Sequence, residues 1–325
     1  MNPPNSQDSA NSANSANSIP AIVGPTASGK THLGVELALH LGNGEVISCD
    51  SVQIYKEIEI ATAKPSEEEM RGVPHHLVDY VSPFVDYTAA DWARDASEKI
   101  REIESRGGRP IIVGGTGFYL RTLRKPLFES PRTDPELRRR LRGIHEEKGA
   151  AHLHRMLERL DPGAAAGIPA NDYVRSMRAL EVFFQTGKRI SDLQPERAEP
   201  PEFAERIRVF ALAPPRNELY ERINARARAH FEAGLLDEVK RLLKDGVPPD
   251  SNALGSHGYR RVLEYLSGER TLESAIEKTA QDVRNYAKRQ LTWFRKEKDV
   301  EWLEGFGDDP AVRRKLFELI EEKRP

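Results

Sequence analysis

The chain has 325 residues, of which 38% are hydrophobic, and its 49 basic side chains almost balance 51 acidic ones. Its single cysteine, Cys49, excludes an internal disulfide and a zinc site built from several thiolates, so the reducing cytoplasm is the expected compartment. The sequence contains no apolar run that approaches the roughly 20 residues of a membrane span. The first basic residue is Lys30, which argues against a signal or transit peptide.

The charge is distributed unevenly along the chain. Residues 1–120 carry 9 basic and 16 acidic side chains, whereas residues 121–191 carry 15 and 9. A polyanionic partner is therefore expected to meet the middle segment, although surplus arginine on exposed helices is also a common means of solubility.

The first predicted elements are a tail and an α/β sheet. Residues 1–18 repeat Asn-Ser-Ala and have almost nothing to bury, which predicts a disordered tail. After this tail, short apolar runs alternate with stretches of helical spacing, and this pattern predicts a mostly parallel sheet flanked by helices. The predicted strands cover residues 21–23, 45–48, 76–81, 110–113, 207–211 and 300–303.

The strand pattern disappears in the middle of the chain. Helices are predicted there over residues 134–147, 152–160 and 171–186. Because strands resume at Ile207, residues 121–201 are predicted to form a helical insertion domain, and residues 19–120 and 202–325 the core domain. Two long amphipathic helices are predicted over residues 218–244 and 271–298.

A phosphate-binding loop follows the first predicted strand. The segment Gly24-Pro25-Thr26-Ala27-Ser28-Gly29-Lys30-Thr31 matches the pattern G-x-x-x-x-G-K-[ST]. Its glycines let the backbone wrap around phosphate oxygens, Lys30 adds a cation, and Thr31 can ligate Mg²⁺. The loop alone leaves open whether it holds a nucleotide such as ATP or only a pyrophosphate group.

Two further strand ends are expected at the same edge of the sheet. Asp50 follows the second strand, where a carboxylate can act as a general base or metal ligand, or simply cap a helix. Gly114-Gly115-Thr116 follows the fourth strand, where two glycines permit close approach of a ligand or merely form a tight turn.

Taken together and in order, these segments resemble the tRNA dimethylallyltransferase family. The other segments that carry the resemblance are Asp50-Ser51-Val52-Gln53-Ile54-Tyr55, Thr62-Ala63-Lys64-Pro65, Asn171-Asp172 with Arg175, Arg178-Ala179-Leu180-Glu181, Gly258-Tyr259-Arg260 and Tyr286-Ala287-Lys288-Arg289-Gln290-Leu291-Thr292-Trp293. The sequence departs from the family at Ala61, where glycine is usual, and at Ser256-His257, where small apolar residues are usual. It lacks the C-terminal Cys/His finger of eukaryotic members, which favours the bacterial type.

The resemblance implies a P-loop NTPase-like core and a tRNA-binding insertion domain. The implied reaction moves a dimethylallyl group from its diphosphate to N6 of the adenosine at tRNA position 37, next to the anticodon. The implied catalytic residues are Asp50, Lys30 and Thr31, with Thr31 binding Mg²⁺, while residues 24–31 and Arg226 bind the diphosphate. The implied tRNA contacts are Asp50, Ser51, Val52, Gln53, Thr116, Arg175, Arg178 and Arg260. The expected partners are dimethylallyl diphosphate and a tRNA anticodon stem-loop, bound by a monomer.

Three other functions share parts of this pattern. A small-molecule kinase would use Lys30 and Thr31 to hold ATP·Mg²⁺ and Asp50 to deprotonate a hydroxyl. A free-nucleotide isopentenyltransferase would use the same loop and base on AMP, ADP or ATP. An RNA-binding NTPase would remodel RNA without modifying it. The basic middle segment favours a large polyanion over a free nucleotide.

Overall fold

Six parallel strands form one sheet in this computed structural model, which describes residues 18–322. The strands are β1 (Ile19–Val23), β2 (Gly44–Cys49), β3 (His75–His76), β4 (Arg109–Gly114), β5 (Ile207–Ala213) and β6 (Val300–Glu304). Their order across the sheet is β3-β2-β4-β1-β5-β6. The predicted disordered tail lies outside the described residues except for Ser18, which is buried.

Helices cover both faces of the sheet, as expected for a parallel sheet. Before the insertion they are α1 (Lys30–Leu41), α2 (Glu67–Met70), α3 (Ala89–Ser105) and α4 (Gly117–Arg124). After it they are α10 (Arg216–Glu232), α11 (Leu235–Lys244), α12 (His257–Leu266), α13 (Leu272–Phe294) and α14 (Pro310–Glu321). Strand side chains alternate between two cores, one shared with α1 and α14 and the other with α3, α4 and α11. The predicted fold class, a parallel sheet flanked by helices, is confirmed.

One predicted strand and one predicted helix are wrong. The strand predicted over residues 76–81 ends at His76, because Leu77 and Asp79 have positive φ angles of 59° and 55°. The amide groups from Asp79 to Val81 instead donate to carbonyls in the loop after β2. The single helix predicted over residues 218–244 is two helices, broken at Gly234 with a φ of 98°.

The chain divides into two compact units, and the second comprises Lys125–Pro200. Its helices are α5 (Pro135–Lys148), α6 (Ala150–Leu160), α7 (Pro162–Gly167), α8 (Tyr173–Thr186) and α9 (Ile190–Leu193). Asp134 and Asp161 cap α5 and α7 as the sequence predicts, each followed by proline in the first turn. The predicted core boundary at residue 120 falls inside α4, whose Leu123 packs into the core of the first unit.

A buried carboxylate lies at the centre of this second unit. The Glu181 side chain is 0% exposed, and the Arg138 guanidinium donates to both of its oxygens at 2.6 and 2.9 Å. Arg178 also contacts Glu181 at 3.3 Å and donates to Ser130 Oγ and the Pro131 carbonyl. Because an unpaired buried charge is costly, these arginines stabilise the packing of α5 against α8.

Among the residues that the structure describes, none of the helices combines the length and apolar character needed to cross a membrane.

We expect Arg138→Ala to lower the opening free energy of α8 by about 2–3 kcal/mol, because Glu181 would keep only one cationic partner. Hydrogen exchange of peptides from residues 135–186 measures this change locally, which suits a chain of two units. Arg139→Ala removes an exposed arginine from the same helix and should change exchange by less than about 0.5 kcal/mol. Equal effects of the two variants would show that the buried pair does not stabilise this unit.

Candidate active site

Three neighbouring strands deliver the predicted site residues to one edge of the sheet. The phosphate loop follows β1, Asp50 follows β2, and Gly115-Thr116 follows β4. Since β2, β4 and β1 are adjacent and parallel, their carboxyl ends open at the same edge. The Thr116 amide donates to the Cys49 carbonyl at 3.2 Å, and the Ser51 amide donates to Thr116 Oγ1 at 3.2 Å.

The phosphate loop has the backbone geometry of an anion-binding turn. Ala27 and Gly29 have positive φ angles of 63° and 83°, and α1 begins at Lys30. The Ser28 hydroxyl, which is fully buried, donates to the Pro25 carbonyl at 2.8 Å and closes the turn. The first-turn amides of α1 therefore face the space above the loop, where they favour a negatively charged ligand.

Two partly buried cations, Lys30 and Arg226, lie beside the loop. The Lys30 ammonium donates to the Pro25 carbonyl at 2.6 Å, and the Arg226 guanidinium donates to the Thr26 hydroxyl. Burial lowers the pKa of Lys30 to about 8; the Asp50 carboxylate opposes this shift and Arg226 adds to it. Burial likewise lowers the pKa of Arg226, against the effect of Asp50. Two desolvated cations with one nearby carboxylate leave excess positive charge for an anionic ligand.

The backbone after β2 orients the Asp50 carboxylate. One oxygen, Oδ1, accepts hydrogen bonds from the amides of Val52 at 2.8 Å and Gln53 at 3.2 Å. The other oxygen makes no hydrogen bond within residues 18–322 and is free to accept a proton from a ligand. Asp50 thus fixes its own loop while it also borders the cavity described below.

A glutamine of α13 joins the phosphate loop to the Gly115 turn. Gln290, only 5% exposed, accepts from the Thr26 amide at 2.8 Å and donates to the Gly115 carbonyl at 2.9 Å. A Cβ at Gly115 would lie 2.1 Å from Gln290 Nε2, and one at Gly114 would lie 2.1 Å from the Cys49 carbonyl. Both glycines are therefore required by close packing around the site.

These elements border a cavity of about 490 Å³. Thr26, Asp50 and Arg226 contribute its charged and polar side. Aromatic rings form much of the remaining wall, from Tyr55, Tyr87, Phe118, Tyr119 and Tyr286. Burial raises the pKa of Tyr286 well above its ordinary value, and Asp50 adds to the shift, so this ring stays neutral. The cavity therefore combines charged groups suited to an anion with a wall rich in aromatic rings.

The sequence profile of a known protein family, described as IPP transferase, matches residues 53–297 of this chain. The chain belongs to the IPP transferase family.

Two relatives with similar sequences carry the same name. Proteins called tRNA dimethylallyltransferase from Koribacter versatilis and Geobacter sulfurreducens are each 46% identical to this chain, over 303 and 299 residues. The alignments cover 92% and 91% of this chain and 96% of each relative. The predicted family is confirmed.

Solved structures of the family share the fold. A full-length tRNA isopentenylpyrophosphate transferase from Bacillus halodurans is 39% identical, with a TM-score of 0.68 over 94% of this chain and 98% of that one. A eukaryotic dimethylallyltransferase, determined acting on tRNA, is 29% identical, with a TM-score of 0.73 over 94% of this chain and 82% of that one.

Not every residue predicted for the site lies at the cavity of this IPP transferase. Thr26, Asp50, Ser51, Val52 and Arg226 line it. The Gln53 side chain points elsewhere, donating to the Ala63 carbonyl at 2.7 Å. Arg260 lies on α12 with 65% of its side chain exposed and Glu264 at 3.6 Å. Arg175 and Arg178 belong to the second unit, where Arg175 contacts Asp172 at 2.6 Å and Arg178 is engaged as described above.

Sequence reasoning missed three residues of the site, namely Gln290, His230 and Tyr286. Gln290 and Tyr286 lie within a segment that carried the resemblance, but no spacing rule distinguishes a residue that bridges two loops from a core glutamine. His230 follows Arg226 by four residues, which places both on one face of α10. The four-residue spacing between Arg226 and His230 is the sequence signal from which His230 could have been predicted as a site residue.

The side chains near the phosphate loop suit a metal cation that binds together with an anionic substrate, because they offer few ligands of their own. No cluster of three or more His, Cys, Asp or Glu side chains capable of holding a metal occurs within residues 18–322. Thr31, in the first turn of α1, and the free oxygen of Asp50 are the available oxygen donors at the loop. Mg²⁺ commonly takes few protein ligands and completes its coordination with substrate phosphate and water.

We expect the affinity for inorganic pyrophosphate to fall as the pH rises through about 8, because Lys30 then loses its proton. Lys30→Arg keeps its charge at higher pH and should remove this part of the dependence. Calorimetric titration of both proteins across this pH range measures the difference, and the ligand's own ionisation cancels in the comparison. Parallel profiles would show that Lys30 does not titrate there.

Proposed function

We propose that this chain is a tRNA dimethylallyltransferase. It transfers the dimethylallyl group of dimethylallyl diphosphate to N6 of the adenosine at position 37, next to the anticodon, and releases diphosphate. The observation that carries the proposal is that the Asp50 carboxylate, the Arg226 guanidinium and Thr26 of the phosphate loop line one cavity, while the Lys30 ammonium of the same loop lies close enough to Asp50 and Arg226 for their charges to shift its pKa. The membership of the chain in the IPP transferase family supports the same function.

The phosphate loop stabilises the leaving group in this proposal. Cleavage of the bond between the allylic carbon and oxygen places additional negative charge on the departing diphosphate. Lys30, Arg226 and the first-turn amides of α1 are fixed before the reaction, so they stabilise this charge without reorganisation. No phosphoryl group moves, which distinguishes this use of the loop from that in a kinase.

Asp50 is the general base in this proposal. The exocyclic amine of adenine is a weak nucleophile because its lone pair is delocalised into the ring. The free oxygen of Asp50 accepts a proton from N6 as the new N6–carbon bond forms, while two backbone amides hold the other oxygen. The adenosine must leave the anticodon-loop stack to reach the cavity, as is usual for enzymes that modify bases.

A divalent cation, which we propose to be Mg²⁺, accompanies the diphosphate. Thr31 and the diphosphate oxygens would hold it, and the cation would neutralise charge on the leaving group. The same residues 24–31 that bind the diphosphate also position Thr31.

The second unit is proposed to bind the tRNA. The unit carries 14 basic and 12 acidic side chains over residues 125–200, and the surplus is concentrated in residues 125–190, which hold 13 basic and 9 acidic ones. This local surplus suits a phosphate backbone. Arg175, with 58% of its side chain exposed, is the better candidate for a phosphate contact. Arg178 is 29% exposed and holds the segment that precedes α5, so we assign it a positioning role, while Arg260, Ser51, Val52, Gln53 and Thr116 stay proposed contacts.

The direct test combines the protein with Mg²⁺, labelled dimethylallyl diphosphate, AMP, ATP and an anticodon stem-loop that has adenosine at position 37. Label should enter the RNA, and replacing that adenosine by guanosine should abolish incorporation. Label on AMP but not on the RNA would assign the chain to free-nucleotide prenylation. Hydrolysis of ATP stimulated by RNA, without incorporation, would assign it to the NTPases.

We expect Asp50→Asn to lower kcat by roughly 10²–10⁴-fold, because the amide cannot take the N6 proton. Affinity for the stem-loop should change little, since the amide oxygen can still accept the two backbone hydrogen bonds. Single-turnover rates and filter binding separate these quantities. Asp250→Asn makes the same chemical change at an exposed position and should leave both unchanged. Full activity of Asp50→Asn would remove Asp50 from the mechanism.

A further inference from the structure

The end of the cavity beyond Arg226 contains polar groups that the proposed reaction does not use. His230 lies on α10 one helical turn after Arg226, and both side chains line the cavity. Within residues 18–322, His230 makes no hydrogen bond, so both of its ring nitrogens are available. A dimethylallyl group offers them nothing, because it contains only carbon and hydrogen.

Ser256 contributes a second unused group. Its Oγ atom is buried and has no hydrogen-bond partner among the described residues, although Ser256 borders the cavity. It is the residue before α12, where serine usually caps the helix, but its side chain makes no capping bond. A buried hydroxyl without a partner costs free energy, so a ligand that bonds to it is favoured.

His230 and Ser256 belong to the same end of the cavity. A Cβ at Gly258, in the first turn of α12, would lie 3.2 Å from Leu235, the residue that begins α11 just after α10 ends. The first turn of α12 therefore packs next to the end of α10 that carries His230. The Arg226 guanidinium, at the diphosphate end, is bonded to Thr26 of the phosphate loop.

The spacing along α10 matches the length of a prenyl donor. One turn of helix advances about 5.4 Å, which is comparable to a five-carbon chain extended from its diphosphate. With the diphosphate at Arg226 and the chain running along α10, the carbon farthest from the diphosphate comes to His230. Ala227, which lies between Arg226 and His230 along the helix and also lines the cavity, supplies apolar surface for the remaining carbons.

We propose that this cavity also accepts an allylic diphosphate with a hydroxyl on its terminal carbon, recognised by His230 and Ser256. This proposal rests on the proposed function and extends its donor class. The reaction is unchanged: N6 bonds to the first carbon, the diphosphate leaves with the electron pair of the broken carbon–oxygen bond, and Asp50 takes the proton. The terminal hydroxyl passes intact into the product, so no oxidant is needed.

The ionisation of His230 supports this recognition. Burial, with the charge of Arg226, lowers the pKa of His230 to about 4, so the imidazole is neutral near pH 7. A neutral imidazole has one N–H donor and one acceptor nitrogen, and a hydroxyl can satisfy either. The Ser256 hydroxyl can make the second hydrogen bond to the ligand hydroxyl, as donor or as acceptor, since a hydroxyl can be either.

The test compares two donors, dimethylallyl diphosphate and its terminally hydroxylated analogue, with the full chain and the stem-loop. We expect both to modify the RNA, the second product being heavier by one oxygen atom, with kcat/KM for the hydroxylated donor at least equal to that for the plain one. His230→Leu should lower kcat/KM for the hydroxylated donor roughly tenfold more than kcat/KM for the plain donor. Ser256→Ala should act in the same direction.

Two further variants serve as controls for the His230→Leu result. His230→Gln retains a donor and an acceptor and should preserve use of the hydroxylated donor. His40→Leu removes an imidazole that stacks on Phe317, away from the cavity, and should affect neither donor.

Rejection of the hydroxylated donor by a chain that uses the plain one would overturn the proposal. Equal losses for both donors in His230→Leu would also overturn it and would assign His230 to the adenine edge. Failure of both donors to modify RNA would instead contradict the proposed function itself.

Discussion

Two hydrogen bonds made by the Gln290 amide determine the geometry of the site. They join the Thr26 amide of the phosphate loop to the Gly115 carbonyl after β4, so a helix near the end of the chain fixes two strand ends. The close approach also explains the glycine at 115, where a Cβ would collide with Gln290. Because α13 carries Tyr286 to the cavity as well, one helix sets both the anion-binding end and part of the aromatic wall.

The electrostatics of the cavity follow from burial. Lys30 and Arg226 are desolvated, and Asp50 offsets only part of their charge, so an anion gains more from entering than it would at a solvated surface. The aromatic rings of Tyr55, Phe118, Tyr119 and Tyr286 give the same cavity apolar surface beside its charged groups. The Asp50 carboxylate accepts a proton, which the cations Lys30 and Arg226 cannot do.

The sequence predicted the sheet and the site edge because these depend on local patterns. Apolar runs before Gly24, Asp50 and Gly114 predict three strands that end at one edge, and this is what the structure has. Contacts between segments that are distant along the chain could not be predicted from the sequence. The positive φ angles at Leu77 and Asp79, the break at Gly234 and the bonding of Gln290 all depend on tertiary packing. For Arg178, the resemblance implies an RNA contact, which stays a prediction, and the structure shows in addition that its side chain bonds to Glu181 and Pro131.

The central claim is that the phosphate loop holds a diphosphate which departs whole. The most direct measurement is the amount of pyrophosphate and orthophosphate released for each adenosine modified in a single turnover with the stem-loop. The account predicts one pyrophosphate for each modified adenosine and no orthophosphate. Release of stoichiometric orthophosphate, or modification that requires a nucleoside triphosphate, would contradict it.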